Sequence, residues 1–176
     1  MVEVMLNIIE GPEAVTKMVK QCITKELTEE GILSDVVTFI PSYRFEEEIE
    51  EPCIWLFEQE TTVYDGDGAL SDKLHLQTPF EFYCIVYDEE NIEQSEINGK
   101  NLANRIAASI AKNHFRVLKE DTMIQGLKPI YEGTFPVGFV EDEELGEEVP
   151  ITKLRLNFIY YVDWKICCQF KNNSGD

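Results

Sequence analysis

An α+β domain, with two main helices packed on one face of a mostly antiparallel sheet of about four to six strands, is the architecture this sequence predicts. Three observations carry it. Two segments place apolar residues three and four apart, the mark of an amphipathic helix. Several others alternate apolar and polar residues, the mark of a strand with one buried face. Their order is helix, strands, helix, strands, which groups the strands in runs. A chain of 176 residues fits a single domain, read here as residues 1–170 with 171–176 as a frayed tail.

The first helix is predicted over residues 12–28, with Pro12 and Glu13 in its first turn and Val15, Met18, Val19, Cys22, Ile23 and Leu27 along one stripe. Gly31 is its natural stop. "VVTFI" (36–40) and "CIWLFEQE" (53–60) read as strands that pair antiparallel across the exposed connection "PSYRFEEEIEEP". "TTVYDGDGALSD" (61–72) reads as loop. "KLHLQTPFEFYCIVYDEE" (73–90) is a longer strand with Phe80, Phe82, Cys84 and Val86 on one face, and its Pro79 implies a bulge or a sheet edge.

The second helix, residues 95–117, stacks Leu102, Ile106, Ile110 and Val117. A neighbouring stripe carries Arg105, Lys112, Arg116 and Lys119. "MIQGLKPIYEG" (123–133) is a strand interrupted by Gly and Pro, and "TKLRLNFIYYVDW" (152–164) is the clearest strand, with Leu154, Leu156, Phe158, Tyr160, Val162 and Trp164 on one face. Between these two lies "EDEELGEE", six carboxylates in eight residues, read as a protruding loop.

The net charge is −19. Such a surface repels phosphate, which argues against ordinary nucleic-acid binding and against an anionic membrane. No apolar run reaches the roughly 20 residues that span a bilayer. The first residues lack the basic start of a secretory signal, so the cytoplasm is the expected compartment. The charge is also uneven. Residues 41–96 hold sixteen acids against Arg44 and Lys73, residues 132–149 hold seven acids and no base, and residues 100–128 hold six bases against Glu120 and Asp121.

Five cysteines, Cys22, Cys53, Cys84, Cys167 and Cys168, contain no C-x-x-C pair and read as reduced, mostly buried thiols. The chain has no nucleophile elbow, no phosphate-binding glycine loop and no H-E-x-x-H spacing. His75 and His114 stand alone and read as surface or boundary residues. Asp65, Asp67 and Asp72 fail the EF-hand pattern, which needs oxygen at Ala69, glycine at Leu70 and glutamate at Leu76. Consecutive glutamates in open loops lack the contrast between a buried protonated carboxyl and an ionised one that acid–base catalysis needs. The expectation is a protein that is not an enzyme, with no catalytic residue, no cofactor and no metal.

The order of elements, an N-terminal helix, "EPCIWLFEQE", "QTPFEFYCIVYDEE", "NLANRIAASIAKN", "GLKPIYEGTFPVGFVEDEE" and "TKLRLNFIYYVDW", resembles the tail terminator, or tail completion, proteins of long-tailed bacteriophages. That resemblance implies a virion structural protein, made in the host cytoplasm. It implies a homo-hexameric ring capping the head-proximal end of the tail tube. Its partners are then the tail tube protein and a neck or head-completion protein, with genomic DNA passing through unbound.

Two electrostatic expectations follow. A ring needs a heterologous interface, and the basic stripe Arg105, Lys112, Arg116 and Lys119 is the candidate to face an acidic loop of the neighbour. The loop of Glu141, Asp142, Glu143, Glu144, Glu147 and Glu148 is the candidate to face the lumen, because carboxylates repel phosphates over about 8 Å at physiological salt; residues 46–51 are the second choice. The alternatives are another neck or head-completion protein and, from a different class, an acidic DNA-mimic inhibitor.

Overall fold

The computed structural model describes residues 2–41, 50–64, 73–88, 91–118, 124–142 and 147–163, with 2–10, 118, 139–142, 147–149 and 163 described as backbone. Helix α1 (Val2–Glu26) leads to strands β1 (Thr38–Ile40), β2 (Cys53–Glu58), β3 (Thr62–Val63) and β4 (Lys73–Ile85). Helix α2 (Ile92–Leu118) then leads to strands β5 (Ile124–Asp142) and β6 (Glu147–Asp163). Among the described residues the sheet has six strands in the order β1-β2-β4-β6-β5, with β3 also on β4. All pairings except β1–β2 are antiparallel, so the fold is α+β as predicted.

One core holds the layers together. Val15, Met18, Val19, Cys22 and Ile23 of α1 and Leu102, Ala103, Ile106 and Ile110 of α2 lie against alternate residues of the central strands, including Phe80, Phe82, Cys84, Leu154, Phe158 and Tyr160. Phe80 and Phe158, on neighbouring strands, meet edge to face at 5.4 Å. The opposite face of the sheet has a smaller cluster of Ile40, Cys53 and Ile85 and no helix cover among the described residues.

The expected bounds change where tertiary packing overrides local signals. Helix α1 begins at Val2, so Pro12 lies inside it and not in its first turn. Pro12 removes one helical hydrogen bond, but packing continues through it: a Cβ on Gly11 would lie 2.9 Å from a Val162 methyl. β1 and β2 pair parallel, not antiparallel; the twelve residues between them are enough for the return that a parallel pair needs. β3 falls inside the segment read as loop. Pro79 sits in a central strand with unbroken register to β6, not at an edge or a bulge. Its carbonyl accepts from the Gln59 amide at 2.9 Å. Its nitrogen faces the same flank, where β2 has ended at Glu58 and β3 has not begun.

The largest change concerns the last two strands. β5 continues through Asp142 and pairs with β6 along the whole way. Gly133 and Gly138 take φ of 141° and 111° at two of the three register shifts, where a left-handed backbone lets the strand bulge and bend.

Candidate functional site

The basic stripe is built on α2, and two of its members are tied down by α1 and the turn that follows it. Arg105 grips Asp35 with both terminal nitrogens, one at 3.0 Å, and donates to the Ile32 carbonyl at 3.1 Å. That guanidinium holds the Asp35 carboxyl below its usual range. The Lys112 ammonium lies 2.9 Å from Glu26, whose carboxylate also accepts from Asn113 at 2.7 Å and the Ile32 amide at 3.1 Å. The Asn113, Lys112 and Ile32 donors lower the Glu26 carboxyl to about 2. Gly31 permits the tight turn that makes this possible, since a Cβ there would lie 2.1 Å from the Glu26 carbonyl oxygen. Arg116 is exposed, and Lys119 lies outside the described residues. The stripe is thus in large part a clamp between the two helices.

The acidic segment is an arm and not a loop. Glu141 and Asp142 end β5, Glu147 and Glu148 begin β6, and the register sets Glu141 opposite Glu148 and Asp142 opposite Glu147. Glu143 and Glu144 lie outside the described residues. β4 reaches only to Ile85 opposite Ile151, so among the described residues β6 has β5 as its single strand neighbour from Pro150 outward. Helix α2 abuts the arm's base. A crevice there is lined by Glu96, Lys100, Pro136, Gly138, Pro150 and Thr152. Of the second acidic choice, residues 46–49 lie outside the described residues, as do Asp65, Asp67 and Asp72.

A groove of about 790 Å³, which periodicity cannot reveal, runs between α1 and the strands at the other end of the sheet. Val63, Leu74 and Leu76 give it an apolar floor, Lys17 and Lys20 stand on its helical side with Glu13, and Glu58 lies on the strand side. Its hydroxyls are already engaged. Thr16 and Thr24 donate to the Pro12 and Lys20 carbonyls at 2.9 Å. Thr62 accepts from Gln77 at 3.0 Å, and Thr61 meets Thr78 at 2.8 Å, which in turn meets the Tyr160 hydroxyl at 3.0 Å. Lys17 and Lys20, three apart on α1, are the sequence signal that could have found it.

The histidines read as surface or boundary residues are buried, at 8% exposure for His75 and 5% for His114. His75 is held between Tyr64 and Tyr161, its ring centroid 4.7 and 4.1 Å from theirs. Burial lowers its affinity for a proton. His114 bonds through Nδ1 to the Ile110 carbonyl at 2.9 Å. Cys22, Cys53 and Cys84 are buried, as expected, and burial pushes the Cys22 thiol up to about 12. Cys167 and Cys168 lie outside the described residues. Among the described residues no group of three or more His, Cys, Asp or Glu is placed to hold a metal ion, and no helix is long and apolar enough to cross a membrane.

No protein-family model matches the chain, and no curated protein matches it by sequence.

Proposed function

We propose that the chain is a non-enzymatic virion structural protein, a tail terminator subunit. It forms a six-fold ring on the head-proximal end of a phage tail tube and offers the surface to which the neck docks. The observation that best supports this is the arm. A well-packed two-layer body carries β5 and β6 past the end of β4 as a two-stranded extension, a form suited to reaching another subunit and one that no catalytic constellation accompanies among the described residues. Two-stranded ribbons have little stability of their own, and an assembly partner completes them. The surplus of carboxylates lets DNA cross the ring without adhering, through an acidic run that lines the lumen.

Native mass spectrometry and negative-stain electron microscopy test the reading. The expected result is hexameric rings that bind one end of tail tubes of the encoding phage. A chain that stays monomeric at high micromolar concentration and displaces DNA from a DNA-binding protein would show the acidic mimic instead.

A further inference from the structure

We propose that the groove between α1 and β3 receives the acidic arm of a second copy of this chain, so that subunits join head to tail. This names the interface of the ring above and rests on that reading for the presence of a second copy.

Position comes first. Leu74 and Leu76 place the groove at the start of β4, and the arm leaves the sheet beyond Ile85 at its end. Nine residue steps of extended strand lead from Leu76 to Ile85, about 30 Å. An insert at one end and a receptor at the other make a heterologous contact, which closes a ring when the rotation between copies allows.

Charge comes second. Lys100, Arg105, Lys112, Lys153 and Arg155 each have a carboxylate partner within the chain. Among the described residues Lys17 and Lys20 form no ion pair, although both border the groove. Glu13 and Glu58 make the lining neutral as a whole, on a molecule of net charge −19. An acidic segment therefore meets less repulsion here than over most of the surface, and two ammonium groups stand at the rim.

The chemistry of the floor decides the class of occupant. The hydroxyls of Thr16, Thr24, Thr61 and Thr62 are engaged within the chain, so the polar groups that meet an occupant are the four charged side chains and Gln21 around the apolar floor. An apolar floor beside two lysines suits a polypeptide that is both apolar and acidic. The arm, "PVGFVEDEELGEEVP", mixes Val137, Phe139, Val140 and Val149 with six carboxylates.

Analytical ultracentrifugation at low salt tests the contact. K17E/K20E and E141K/E148K should each weaken self-association about tenfold or more, and the four changes together should restore it. R116E/K128E, an equal change of charge on α2 and β5, away from the groove, should leave it intact. Carbodiimide cross-linking of mixed isotope-labelled and unlabelled wild-type chains, which needs no variant to fold, should join Lys17 or Lys20 of one copy to the 141–148 peptide of another. Oligomers cross-linked only elsewhere overturn the arm–groove contact and leave the ring standing. A chain that stays monomeric overturns both. Head-to-tail oligomers joined at these residues that ignore tail tubes uphold the contact and overturn the terminator reading.

Discussion

The Lys112 ammonium lies 2.9 Å from a carboxylate oxygen of Glu26, a residue only 4% exposed, and so joins α2 to the last turn of α1. Two further donors, Asn113 and the Ile32 amide, converge on the same carboxylate. Replacing Glu26 by Ala leaves the buried Asn113 amide short of an acceptor and should cost about 2–3 kcal/mol in urea unfolding.

The same carboxylate gives a pH signature. Its folded value of about 2 lies below the unfolded value of about 4.3, so its stabilisation is whole above pH 4.3 and is lost as the pH falls toward 2. E26Q should therefore be less stable than wild type at pH 7, with the difference shrinking between about pH 4.3 and 2. A constant difference across that range would assign the effect to packing.

His75 has the same sign at a higher pH. Burial favours its neutral ring, so its contribution is whole above the unfolded value of about 6.5 and falls as the solution is acidified through the lowered folded value. H75F keeps a ring between Tyr64 and Tyr161 and removes the titration. Its stability relative to wild type should rise as pH drops from 7 toward 5, as read by urea midpoints.

Gly99 brings α2 against β6, and a Cβ there would lie 2.6 Å from Thr152 Oγ1 and 3.1 Å from Thr152 Cβ. Alanine favours a helix, yet the clash outweighs that gain, and G99A should lose about 1–2 kcal/mol. T152A should recover part of the loss in the double variant. A single G99A as stable as wild type would show that α2 can shift freely at this point.

Arg105 and Arg116 separate stability from assembly. R105A breaks the paired contact with Asp35 and should destabilise the monomer by about 0.5–1 kcal/mol. R116A should stay within about 0.5 kcal/mol of wild type. Neither should change self-association in ultracentrifugation.

The buried stripes of both helices and the core face of β6 were legible in the sequence because burial leaves a period of 3.6 or 2 in the residues themselves, as in Val15, Met18, Val19, Cys22 and Ile23. Strand direction leaves no such period, which is why the parallel β1–β2 pair was not visible. The arm escaped because its glycines, prolines and carboxylates are also the composition of a loop. The engagement of Arg105 depends on Asp35, 70 positions away, and the groove on Leu74 and Leu76 meeting α1. Such relations exist only once the layers pack.

The break opposite Pro79 has a practical consequence. Because one backbone bond, from Gln59 to Pro79, joins the 59–61 crossover to β4, and Glu60 is exposed, extra residues inserted at Glu60 lengthen the crossover without disturbing the β4–β6 ladder. Glu60 lies between Glu58 and Thr61, which line the groove, so a bulky insertion there obstructs the groove from outside the ladder.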